Sequence, residues 1–163
     1  MQAVVVYESH WGNTEAIARA IAEGIGSGAK AMTTDQAVPQ VVASADLIIA
    51  GAPVMGFRLP TDRIIEGLAN EDRPPTVNST SMRTWLGRLP RGTGGHAAFE
   101  TRVWWSPSGA TGAIEKDFRA AGYHRISAAQ RFVVDGKYGP LREGELDRAR
   151  AWGAALAGRL SDR

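Results

Sequence analysis

Apolar residues fall in short runs along this chain, separated by polar, glycine-rich stretches. Ala3-Val4-Val5-Val6-Tyr7 is β-branched and continuous rather than alternating, which is the pattern of a strand covered on both faces in a parallel sheet. Leu47-Ile48-Ile49-Ala50-Gly51 repeats that pattern as a third strand. A fourth is predicted over His96 to Val103, behind the flexible lead-in Gly92-Thr93-Gly94-Gly95. Ala29 to Thr34 carries a weaker strand signal, and a fifth strand is expected within Arg125 to Val134.

Between these runs the period changes. Ile17, Ala18, Ile21, Ala22 and Ile25 recur at helical spacing, and Gly26 and Gly28 end that helix. Asp35 to Ala45 carries Pro39 and has room for one or two turns only. Thr61 to Leu68, Ser81 to Leu89 and Gly112 to Ala121 read as short helices, and Asn70 to Thr80 as a polar loop around Pro74-Pro75. Asp135 to Pro140 reads as the loop before a last helix over Glu143 to Leu160, with Leu146, Ala149, Leu156 and Leu160 turned inward. Trp85 and Trp152 sit on helical faces and read as core.

Strands that alternate with helices give a parallel sheet with helices on both faces. Right-handed crossovers reduce the topologies to a few doubly wound forms, and in these a ligand binds outside the carboxyl ends of the strands. Three loops of unusual composition leave such ends: Glu8 to Thr14, Ala52 to Pro60, and Trp104 to Thr111.

At 163 residues the chain fits one domain, residues 1–163. It has no cysteine, which removes disulfides, thiolate metal sites and cysteine nucleophiles, so redox chemistry would belong to a borrowed organic cofactor or a non-thiolate metal site. The longest apolar run, Ala45 to Phe57, contains Asp46 and falls short of the ~20 residues of a membrane span. The N-terminus lacks a charged region before an apolar stretch, so a cytoplasmic protein with no membrane segment is expected. The net charge is +2, and no block of five or six like charges supports nucleic-acid binding. His10, His96 and His124 show no metal-ligand spacing, and no Ser-His-Asp order suggests a hydrolase.

The first loop is the most informative. It follows a strand and opens a helix, so its backbone N–H groups converge where the helix dipole adds about half a positive charge. Ser9, Asn13 and Thr14 add short polar side chains, and Gly12 lets the chain approach a ligand. The Gly-Lys-Ser/Thr ending of a Walker loop and the three spaced glycines of a dinucleotide fingerprint are both absent. No Lys or Arg lies in the loop, so a phosphate held there would be bound mainly by neutral donors. On the other reading Ser9 and Asn13 only make a turn and Thr14 caps the helix.

Tyr7-Glu8-Ser9-His10-Trp11-Gly12-Asn13-Thr14 resembles the phosphate loop of the flavodoxin family, Ser/Thr-x-x-Gly-x-Thr. Gly51-Ala52-Pro53-Val54 followed by Phe57 resembles that family's first ring-binding loop. Ala97-Ala98-Phe99-Glu100-Thr101-Arg102 resembles its fourth strand and exit, and Gly139-Pro140-Leu141, Gly144-Glu145-Leu146 and Ala151-Trp152-Gly153 its carboxyl-terminal end in a bacterial subgroup. The resemblance implies a flavodoxin-like three-layer α/β sandwich with a five-stranded parallel sheet in the order 2-1-3-4-5, holding one flavin mononucleotide (FMN). The phosphate would lie on Ser9, His10, Trp11, Gly12, Asn13 and Thr14. The ring would lie between Pro53, Val54, Met55, Gly56 and Phe57 on one side and Thr101, Arg102, Val103, Trp104 and Trp105 on the other.

The same resemblance implies an electron carrier between a redox partner protein and an acceptor protein or small molecule. An FMN-dependent reductase passing electrons from a nicotinamide to a quinone-type acceptor, and a domain of this fold without flavin, are the other readings. Met55, Phe57, Trp104 and Trp105 would cover the ring, with Trp11 reaching its phosphate side. Gly56 would be the peptide able to turn toward it, and Arg58 or Arg102 near it would make its potential less negative. The His10 ring would either meet the phosphate or, as is commoner for a loop histidine, be solvated. Trp11 stands where the family often carries Thr, and the chain lacks the acidity usual there.

Overall fold

The computed structural model describes all 163 residues. In chain order its elements are β1 Ala3–Tyr7, α1 Asn13–Ile25, β2 Ala29–Thr33, α2 Pro39–Ala43 and β3 Leu47–Pro53. There follow α3 Asp62–Gly67, a 3-10 turn Leu68–Asn70, α4 Met82–Gly87 and β4 Gly95–Val103. The chain ends with α5 Thr111–Ala120, β5 His124–Arg125, β6 Gln130–Val134 and α6 Glu145–Ser161. All strand pairs are parallel, and the sheet runs β2-β1-β3-β4 with β5 and β6 following one another along the outer edge of β4. This is the 2-1-3-4-5 order of a flavodoxin-like sandwich, with its fifth strand in two pieces.

The break in that strand has a local cause. His96 pairs with Arg125 and Phe99 with Gln130, so three steps along β4 match five along the edge. The extra residues bulge out of the ladder. Ser127 within the bulge accepts a hydrogen bond from the Trp152 indole at 3.1 Å, so the irregular segment is fastened to α6.

The continuous apolar strands are explained by a core on each face of the sheet. Val5, Tyr7, Ile49 and Phe99 pack under α1 and α6 with Ile17, Ile21, Trp152 and Leu156. Val4, Val6, Ile48 and Ala98 pack on the other face with Met82, Trp85, Ile114 and Phe118. Neighbouring residues of β1 thus alternate between the two cores, and neither set meets water. The helices α1 and α6 approach so closely that a methyl group on Gly153 would lie 2.2 Å from the Ile21 carbonyl oxygen, and one on Gly24 2.0 Å from that of Arg150.

Leu146 departs from its predicted place: it is 37% exposed. Ala149, Trp152, Gly153 and Leu156 form the buried stripe of α6, and Leu146 lies to one side of it. At the start of that helix Glu145 turns inward, accepting the Val133 amide at 2.7 Å and pairing with Arg148. No helix is long and apolar enough to cross a membrane.

Candidate functional site

The loops leaving β1, β3, β4 and β6 enclose a cavity of about 630 Å³ at the carboxyl edge of the sheet. Every site residue predicted from the sequence lines it except Gly12 and Trp104. The structure adds Ile64, Gly67, Leu68 and Glu71 from α3 and the turn behind it, Ser106, Val134 at the end of β6, and Asp135, Gly136 and Lys137 after it.

Gly12 shapes the first loop rather than lining the cavity. It sits at φ 93°, a left-handed conformation that favours glycine, and is the N-cap of α1. The Ser9 hydroxyl accepts the Gly12 amide at 3.2 Å, so Ser9 does make the turn. Thr14 is not the cap. Its buried hydroxyl shares a 2.7 Å hydrogen bond with the hydroxyl of Thr101 at the end of β4. The backbone N–H groups of His10, Trp11, Asn13 and Thr14 meet no acceptor within the protein. Four free donors at the head of a 13-residue helix have the polarity that suits an anion.

The two large side chains of this loop are placed differently from expectation. His10 is 4% exposed, not solvated. One ring nitrogen lies 2.8 Å from the Thr76 carbonyl and the other 3.0 Å from the Glu8 carboxylate, whose second oxygen accepts the Met82 amide at 2.8 Å. Burial pulls the His10 pKa down, but the hydrogen bonds to Glu8 and Thr76 and the charge of Glu8 outweigh it, and the net shift is upward. A carbonyl and a carboxylate both call for a donor, so the geometry suits the imidazolium. Trp11 turns its indole N–H to the Arg73 carbonyl at 3.3 Å and makes an edge-to-face contact with Tyr138, with ring centroids 4.8 Å apart. It therefore packs against the loops beside the anion site.

The second half of the cavity is lined mainly by apolar side chains, Pro53, Val54, Met55, Phe57 and Trp105 among them. The Val54 amide donates to the Thr101 carbonyl at 2.9 Å, tying the loop after β3 to the end of β4. Met55 and Arg58 then close a tight hairpin with a 3.0 Å hydrogen bond, and its two central residues, Gly56 and Phe57, sit at φ 61° and 62°. Positive φ at both positions is what a type I′ turn requires. A non-glycine residue in this region costs roughly 1–2 kcal/mol, and here the residue is an aromatic presented at the cavity mouth. The Phe57 carbonyl accepts from the Ser108 hydroxyl, and its ring meets Trp105 edge-on, with centroids 5.9 Å apart. Trp104 is 68% exposed and lies outside the cavity. Arg102 lines the cavity and pairs at 3.4 Å with buried Glu100, which also accepts the amides of Ala110 and Thr111 at the head of α5. Arg58 lies outside the lining.

Glu71 and Lys137 were not legible as site residues. Both lie in segments that read as polar connectors, and only the position of Lys137 behind the last strand could have signalled it.

The chain matches no protein-family model, and no curated protein matches it in sequence. Solved structures do resemble it. A flavodoxin from the domain Archaea aligns with a TM-score of 0.70 at 21% identity, covering 99% of each chain. The two-electron reduced flavodoxin of Megasphaera elsdenii aligns at 0.62 and 22% identity over 96% of this chain and 99% of that one. The flavodiiron core of Flv1 from Synechocystis aligns at 0.67 and 21% identity, with 99% of this chain covering 36% of that one. The fold is flavodoxin-like.

Proposed function

We propose that this flavodoxin-like domain binds FMN and carries electrons between redox partners. The observation behind the reading is a single cavity with two unlike halves, four unpaired backbone N–H groups at one end and a largely apolar, aromatic lining at the other. A phosphate monoester carries a charge near −1.5 to −2 at neutral pH, which four amides and a helix dipole suit. Asn13 and Ser9 add polar atoms at the same end, and Met55, Phe57 and Trp105 give soft and flat cover at the other. The residues present thus fit FMN. When bound, the flavin supplies the electron transfer, and the chain orients it and sets its electrostatics. The Val54–Thr101 hydrogen bond fixes the spacing of the two ring-side loops, and buried Glu100 fixes Arg102 beside them.

The test is direct. Purified protein stripped of small molecules should quench the fluorescence of added FMN at a one-to-one ratio and bind riboflavin more weakly. A protein that leaves micromolar FMN unquenched overturns the reading.

The Phe57–Trp105 pair at the open mouth supports a second reading, an FMN-dependent reductase that receives a planar nicotinamide or quinone. Steady oxidation of NADH or NADPH by the FMN-loaded protein in the presence of a quinone would favour it over a one-electron carrier.

A further inference from the structure

Three basic side chains line the cavity: His10, Arg102 and Lys137. His10 has both ring nitrogens committed, to Glu8 and Thr76, inside the protein. Arg102 is largely buried and tied to Glu100, whose side chain is 1% exposed. Lys137 differs from both. Its side chain is 54% exposed and its partner is Glu71, which also lines the cavity and is 22% exposed. An exposed ion pair adds little stability, so Lys137 can leave at little cost. Glu71 keeps a second partner when it does, because the Tyr138 hydroxyl donates to its other carboxylate oxygen at 2.7 Å.

Lys137 is also next to the anion site. The carbonyl of Tyr138, the adjoining residue, accepts the Asn13 side-chain amide at 3.1 Å, and Asn13 is the first residue of α1. The Tyr138 ring packs on Trp11 of the same loop. The backbone at 137–138 is thus fastened to the head of α1, within reach of a lysine side chain.

We propose that Lys137 is a ligand for the phosphate of the bound flavin, held in reserve by Glu71 and transferred to the phosphate on binding. The inference rests on the FMN reading and deepens it. The anion site is then not bound by neutral groups alone: its cation comes from the far end of the chain, with no basic residue in the loop itself. Glu71 competes with the ligand for that cation, and so sets the affinity.

The experiment compares FMN and riboflavin binding by fluorescence quenching in the wild type, Lys137→Ala and Glu71→Gln. Lys137→Ala should weaken FMN roughly five- to twentyfold and leave riboflavin unchanged, and it should flatten the salt dependence of FMN binding. Glu71→Gln should tighten FMN severalfold, because the competing carboxylate is gone. If Lys137 only pins the loop through Glu71, both variants weaken FMN and riboflavin alike, and the proposal is overturned. If neither flavin binds the wild type, the FMN reading fails, and inorganic phosphate becomes the probe. Saturable phosphate-dependent shifts of the His10, Trp11, Asn13 and Thr14 amide resonances, lost in Lys137→Ala, would uphold Lys137 as an anion ligand. Their absence in the wild type, or their persistence in the variant, overturns it.

Discussion

His10 lies 3.0 Å from Glu8, and both side chains are 2% exposed. Both lie in the loop after β1; the Glu8 carboxylate also accepts the amide of Met82 in α4, while the other ring nitrogen of His10 holds the Thr76 carbonyl. One histidine therefore joins the anion loop to the segment before α4.

Stability should depend on pH through this pair. The folded pKa of His10 is raised above its usual 6.5. The contribution is therefore fully present below pH 6.5 and is lost as pH rises through the folded value. Urea unfolding followed from pH 6 to 9 should show a decline that His10→Gln reduces. His10→Ala should cost about 3 kcal/mol at pH 6, because it leaves a buried carboxylate without its charge partner. A pH profile identical in wild type and His10→Gln would remove this account.

His96 gives the opposite dependence. It lies flat on Phe118, with centroids 4.8 Å apart and planes within 7°, and neither ring nitrogen has a hydrogen-bond partner. Burial, reinforced by the charges of His124, Arg119 and Arg125, lowers its pKa to about 4. The unfolded chain then binds the proton first, so stability should fall by roughly 3 kcal/mol as pH drops from 6.5 to 4. His96→Leu should flatten that limb and gain about 1–3 kcal/mol near neutral pH, since it removes orphaned polar atoms at similar volume. Chemical denaturation of both proteins at pH 4.5 and 7 would decide the matter.

Arg102 should tune a bound flavin. A unit charge about 4 Å away is worth roughly 1 kcal/mol in water and about 4 at an effective dielectric of 20, and 1.4 kcal/mol corresponds to about 59 mV for one electron. Glu100 offsets part of the charge. Arg102→Ala should therefore make the potential more negative by some tens of millivolts. Arg58, outside the cavity, should matter less. Potentiometric titration of the FMN-loaded variants checks both statements, and an unchanged potential in Arg102→Ala would refute the first.

The sheet and its order were legible because two-sided burial leaves unbroken apolar runs such as Val4-Val5-Val6 and Ile48-Ile49. The loop Ser9–Thr14 was legible because its turn chemistry is local. His10 was misplaced because its burial depends on Thr76 and on Glu8, and Thr76 is 66 residues away. Glu71 and Lys137 pair at the cavity from segments likewise 66 residues apart, and neither has a periodic pattern to mark it. Leu146 was misassigned because a helical stripe can be drawn through it, and only the packing of Trp152 and Gly153 on α1 selects the true face.

That packing makes the last prediction. A methyl group on Gly153 would stand 2.2 Å from the Ile21 carbonyl oxygen, and this clash is with backbone, which cannot rotate away as a side chain can. Gly153→Ala would raise helix propensity by about 1 kcal/mol in an open helix. Here the gain is overridden, because α1 and α6 must separate and Ile17, Ile21 and Leu156 lose contacts. The expected result is a net loss of about 2–4 kcal/mol, read as a lower midpoint in urea. Gly158 on the same helix has open space at the corresponding position, so Gly158→Ala should stabilise by about 0.5–1 kcal/mol. The strain at Gly153 enters at the middle of α1 rather than at its head, where the free amides lie. Gly153→Ala protein that remains folded should therefore bind FMN as the wild type does, and opposite stability changes at the two glycines would separate close helix packing from propensity.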